Sequence, residues 1–134
     1  MSQENVAVVE AALTAYARGG IDALAEYWTD DIDHRAIEGA LDDPGPMQGK
    51  EAVRAYYQDW ADTFDQLTVE PIEMIDAGED QVVSVSQLRG RAKQSGIETN
   101  LTYAVLTTIR DGKIARGREY STREEALEAA GLSE

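Results

Sequence analysis

"LTTIRDGKIARGREY", Leu106 to Tyr120, reads as a β-hairpin. Asp111-Gly112 offers a two-residue turn in which both positions take positive φ. The flanking runs alternate as strands do, and the spacing predicts strands over Leu101–Arg110 and Ile114–Tyr120. Side chains alternate faces along a strand. Ala115, Gly117, Glu119 and Ser121 therefore share one face, and Arg116, Arg118 and Tyr120 the other.

Two further strands precede the hairpin. Gln81–Ala92 is one, and Leu67–Ala77 is the other, with Pro71 as the mark of an edge or a bulge. Upstream the period changes. Val6, Val9, Leu13 and Tyr16 recur at helical steps, with Ser2 as cap and Gly19-Gly20 as stop. Ile21, Leu24 and Trp28 predict a shorter second helix, and Ile32–Ile37 a short strand. "ALDDPGPMQG" is a loop by composition. Val53, Tyr57, Trp60 and Phe64 mark one face of a third helix. "STREEALEAAGL" closes the chain as a helix, with Ser121 and Glu124 as a capping box. Segregated helices and antiparallel strands imply an α+β fold in one domain, residues 1–134. Helices on the concave face of a curved sheet would enclose a pocket.

The bulk composition narrows the function classes. The 134 residues include no cysteine, so a thiol nucleophile and a zinc-thiolate site are excluded. With one histidine and no cysteine a transition-metal site is not expected, and no phosphate-binding or dinucleotide motif is present, so no cofactor is expected. The net charge of −14 repels phosphate backbones, which argues against nucleic-acid partners. No apolar run reaches the roughly 20 residues of a membrane span. The start lacks a basic, then apolar, leader, so a cytoplasmic location is expected.

Three segments carry a family resemblance over nearly the whole chain. "YARGGIDALAEYWTDDIDHRA", "MQGKEAVRAYYQDW" and "LTTIRDGKIARGREY" resemble the opening, the third helix and the final hairpin of the cone-shaped nuclear transport factor 2-like superfamily. The likeness is to its ketosteroid isomerase-like and SnoaL-like members. It implies a cone of helices on the concave face of a mainly antiparallel sheet. It also implies a small-molecule ligand and a homodimer through the outer sheet face, where Val83, Val85 and Leu106 would meet a second copy. The fold hosts enzymes, binders and assembly modules alike. The positions matching the isomerase's helix-one tyrosine, strand-one aspartate and buried aspartic acid hold Ala12, Ala36 and a residue near Val105. That mechanism is therefore not expected here.

The same matching turns Ala36 toward the pocket, and with it His34 and Glu38, while Asp33, Arg35 and Ile37 face away. Glu119 becomes the inward carboxylate opposite His34. A histidine beside a carboxylate is a sound acid–base device, because imidazole titrates near neutrality. Tyr57 matches a pocket aromatic of the third helix. Trp28, Trp60 and Tyr103 are further candidate ligand contacts. Each has a plain structural alternative. His34 would be a hydrogen-bonded wall residue, Glu119 would pair with Arg116, Arg118 or Arg35, and the aromatics would be core. Two functions follow. One is a cofactor-independent isomerase, cyclase, lyase or hydrolase, in which His34 moves the proton, Glu119 orients it and Tyr57 donates to an oxyanion. The other is a non-catalytic metabolite binder.

Overall fold

The computed structural model describes residues 2–39 and 43–132, without the Ser2 side chain, so the expected Ser2 cap lies outside it. The elements run α1 (Ser2–Ala25), β1 (Trp28–Arg35), β2 (Met47–Gln48), α2 (Lys50–Thr63), β3 (Phe64–Gly78), β4 (Gln81–Ala92), β5 (Glu98–Arg110), β6 (Lys113–Tyr120) and α3 (Arg123–Ala129). The sheet order is β2-β1-β6-β5-β4-β3. Every neighbouring pair is antiparallel except β1 and β6, which run parallel. The α+β cone read from the sequence is the fold observed.

Local chemistry sets the boundaries. Gly20 breaks α1 with φ 75° and ψ −159°, a conformation that side chains disfavour. The two predicted helices are thus two segments joined directly at that residue. The second segment ends earlier than expected, since Tyr27 N–H closes a turn on Leu24 O and Trp28 opens β1. Phe64 likewise leaves the helix face: it is the first residue of β3, and its ring stacks on Trp60 at 5.4 Å. The register of edge strand β3 shifts between Pro71 and Glu73, where proline removes a donor. Asp111 and Gly112 both take positive φ in the β5–β6 turn. The cap of α3 falls one residue later than the predicted box: Thr122 accepts from Glu125 N–H.

The two faces of the sheet are distinct. On the inner face, Val82 packs with Val9 of α1 and Ile109, and Ala12, Trp28, Ile32 and Val53 form the core beneath α2. Val53 is fully buried, and burying such a side chain contributes about 1.5–3 kcal/mol. On the outer face, α3 lays Ala126 and Leu127 over Val83, Val85, Ala104 and Leu106. The three helices expected on the concave face are there, as the two segments of α1 and as α2, and the closing helix α3 takes the outer face. Val83, Val85 and Leu106 are covered by the chain's own last helix, not left open for a second copy. No described helix is long and apolar enough to cross a membrane.

Candidate functional site

Strand register builds the inner wall. On β5 and β6, Thr107 pairs with Gly117 and Val105 with Glu119, and across the parallel pair His34 sits beside Gly117. On β4, Ser84 pairs with Val105 and Ser86 with Tyr103. All of these line a cavity of about 290 Å³, together with Trp28, Tyr57 and Trp60. Most of the remaining wall is aliphatic.

His34 and Glu119 meet inside it. His34 Nε2 lies 2.7 Å from Glu119 Oε2, and His34 is only 4% exposed. The hydroxyl of Tyr56 donates to both carboxylate oxygens of Glu119 at 3.0 Å. An ionised carboxylate only accepts, so both partners must bring hydrogens. This assigns the proton to Nε2 and, in the neutral ring, leaves Nδ1 as the basic nitrogen. Gly117 explains how the ring fits. A Cβ there would stand 2.6 Å from Nδ1 and 3.0 Å from Cε1, while its third neighbour, Cγ of the same ring, is 3.8 Å away. The Nδ1–Cε1 edge therefore rests on bare backbone, at a point where Gly117 lines the cavity.

The arginines are engaged elsewhere. Arg116 and Arg118 bond Asp33 on the outer face, and Arg35 bonds Asp43. None of them pairs with Glu119 among the described residues, contrary to the structural alternative. Asp43 also accepts from Gly39 N–H and Gly45 N–H, pinning the start and end of the loop after β1. These bonds, led by the one from Arg35, hold the Asp43 carboxyl well below the usual carboxylate range.

Tyr57 stacks on Trp28 at 5.8 Å and stands edge-on to Tyr16 at 6.0 Å. Tyr57, Tyr16 and Tyr103 keep some accessible surface, but that surface is cavity wall. Burial there raises all three phenols, with the Glu119 carboxylate adding to the effect on Tyr57 and Tyr103. Among the described residues none of the three hydroxyls has a hydrogen-bond partner.

Most of the candidates from the sequence come together here, with one correction. Glu38 is an exposed turn residue 3.6 Å from Arg35, not a pocket residue. Strand β1 ends at Arg35, so alternation cannot be carried to position 38, and Ile37 lines the cavity in its place. Tyr56 was missed. It lies at the third step from Val53 on the helix face that also holds Tyr57 and Trp60, and a full i, i+3, i+4, i+7 reading would have included it. Among the described residues no three His, Cys, Asp or Glu side chains converge as a metal set.

Comparison with known proteins agrees with this architecture. A search of curated proteins finds no match. Among solved structures, a nuclear transport factor 2-like protein of Burkholderia xenovorans is 25% identical, with TM-score 0.72 over 97% of each chain. A Catenulispora acidiphila protein of ketosteroid isomerase-like fold, in complex with trimethylamine, is 21% identical, with TM-score 0.72 over 93% of this chain and 92% of that one. A Mycobacterium tuberculosis protein in complex with estradiol-17β-hemisuccinate is 17% identical, with TM-score 0.74 over 90% of this chain and 95% of that one. At such identities the likeness is one of fold. Residues 9–117 match the family model of the SnoaL-like domain, and the chain belongs to that family.

Proposed function

We propose that this protein is a cofactor-independent acid–base enzyme acting on a small, mostly apolar metabolite, as an isomerase, cyclase, lyase or hydrolase. The observation that carries the reading is the 2.7 Å contact of His34 Nε2 with Glu119, combined with the Nδ1 edge lying over bare Gly117. Glu119 fixes the tautomer and orientation of the ring, and Tyr56 fixes Glu119. Nδ1 then takes a proton from a substrate placed in the cavity. If the proton leaves carbon beside a carbonyl, its electron pair moves to the carbonyl oxygen. Tyr57, buried and held neutral, has a hydroxyl free to donate to that oxyanion. Return of the proton from Nδ1 to another position completes an isomerisation. Trp28, Trp60 and Tyr103 supply the apolar and aromatic wall.

The test is exchange of the α-hydrogens of 2-tetralone in D₂O, followed by proton NMR. The wild type should accelerate exchange, and His34→Ala should lower the acceleration by about two to four orders of magnitude. Tight binding without acceleration would favour the second reading, a metabolite binder or carrier. One observation supports that reading: the positions matching the isomerase's acids, Ala36 and Val105, are apolar wall.

The proposal includes a cytoplasmic homodimer through the outer sheet face. With α3 in place, the open part of that face is polar, including Gln87, Arg89 and Asn100, which are bonded to one another. Light scattering at the mass of one chain would remove the dimer from the account.

A further inference from the structure

The cavity holds a second polar group besides the His34–Glu119 pair. Ser84, Ser86 and Thr107 are buried at 5%, 3% and 5% exposure, yet among the described residues their hydroxyls have no hydrogen-bond partner. All three line the cavity. Their place follows from the register: Ser84 and Ser86 are successive inward positions of β4, and Thr107 is on β5, directly across Gly117 from His34. Adjacent strands are about 4.8 Å apart, so the Thr107 and His34 backbones stand roughly 10 Å apart, and the His34 ring lies on Gly117 between them. Among the described residues Thr29 Oγ1 is the one side-chain polar atom sealed off without a partner, so the three hydroxyls open onto the cavity. Water fills their hydrogen bonds when the cavity holds no ligand, and a ligand oxygen can take the place of that water.

The chemistry of that ligand is constrained. A hydroxyl both donates and accepts, so carbonyl and hydroxyl oxygens are its matching partners. No lysine or arginine is among the described lining residues, and Glu119 places a carboxylate in the same cavity. An anionic ligand would bring a charge with nothing to balance it. We propose that Ser84, Ser86 and Thr107 form a ligand subsite that takes the carbonyl or hydroxyl oxygens of an uncharged, ring-sized molecule. By holding those oxygens, Thr107 sets which ligand atom meets the His34 ring that lies on Gly117. This positioning role rests on the acid–base reading above; the oxygen subsite does not.

The experiment compares three probes on one ring frame: tetralin, 2-tetralone and tetralin-2-carboxylate. Binding is followed through the fluorescence of Trp28 and Trp60, for the wild type, Thr107→Val, the triple variant Ser84→Ala/Ser86→Ala/Thr107→Val, and His34→Ala. The wild type should bind 2-tetralone about three- to tenfold more tightly than tetralin, the range of one neutral hydrogen bond. It should bind the carboxylate more weakly than either. The triple variant should bind tetralin at least as well as the wild type, lose the preference for the ketone, and melt at the same or a higher temperature. Thr107→Val should retain part of that preference and change the rate of α-hydrogen exchange more than it changes affinity. His34→Ala should keep the ketone preference in full while losing exchange, which separates failure of the subsite from failure of the acid–base reading. A ketone preference that survives the triple variant overturns the subsite. So does tightest binding of the carboxylate, or no binding of any probe. A triple variant that melts well below the wild type also overturns it, because the hydroxyls would then be satisfied within the fold.

Discussion

His34 and Glu119 stand 85 residues apart in sequence, and their side chains meet at 2.7 Å. The parallel pairing of β1 with β6 makes this possible. It sets His34 beside Gly117, two positions before Glu119 on the same strand face. Gly117 gives the imidazole room to lie flat along the wall, and Glu119 reaches its Nε2 from the next inward position. Tyr56 then descends from α2 and occupies the carboxylate from above. Glu119 and Tyr56 thus converge on Nε2, while the Nδ1 edge lies against Gly117 in the cavity wall.

Replacing Glu119 with glutamine preserves shape but brings an amide donor toward donors. Glu119→Gln should lose proton-transfer rate by about two to four orders of magnitude, because the ring loses its fixed tautomer. Stability should fall by about 1–3 kcal/mol, as expected for hydrogen bonds to a charged group. Urea denaturation alongside 2-tetralone exchange measures both.

The adjacent tyrosines should behave differently. Tyr56→Phe removes the donor that holds Glu119 and should cost about 1–3 kcal/mol. Tyr57→Phe removes a hydroxyl with no partner among the described residues. It should leave stability within about 0.5 kcal/mol and lower the rate of α-hydrogen exchange, which needs the oxyanion donor, while leaving the preference for the ketone over tetralin in place. Equal stability losses in the two variants would contradict the roles given to them.

At Gly117, a methyl group would collide with Nδ1 at 2.6 Å. The ring cannot stay where it is. Gly117→Ala should cost about 1–3 kcal/mol through overpacking and sever the contact with Glu119, so that exchange falls toward the level of His34→Ala. An unchanged rate would show that the present ring position is not the working one.

The loop after β1 depends on Asp43, whose carboxyl is held well below its ordinary range by Arg35 and two backbone N–H groups. A depressed folded pKa contributes stability above the unfolded value of about 3.9 and loses it as pH falls through the folded pKa. Wild type should therefore exceed Asp43→Asn in stability by a constant margin from neutral pH down to about pH 5. The margin should begin to shrink near pH 4 and close only as the pH falls on toward the depressed folded pKa. Thermal melts of both proteins across that range check it, and a margin that grew in acid would carry the wrong sign.

Much of this was visible in the chain. The hairpin turn at Asp111-Gly112, the break at Gly20 and the irregularity at Pro71 are written in residues with special backbone demands, so the elements could be read locally. His34 and Glu119 could be brought together through family register and strand alternation. Alternation failed at Glu38 because β1 stops three residues earlier, and a strand end is set by tertiary pairing. Tyr56 was hidden by its neighbour: two adjacent tyrosines on a helix both fit an inward face, and only the position of Glu119 tells them apart. The place of α3 was not legible either. A short amphipathic helix fits either face of a sheet, and Val83, Val85, Ala104 and Leu106 decide the matter only once their shared outer face is known.

The most direct test of the central claim uses the fact that His34 is the only histidine in the chain. Long-range proton–nitrogen NMR of ¹⁵N-labelled protein at pH 8 reports its tautomer without assignment by mutation. The account predicts the Nε2–H form, with a strongly downfield Nε2 proton that is lost or moved upfield in Glu119→Gln. An Nδ1–H tautomer, or a ring averaging between the two forms as free imidazole does, would contradict it.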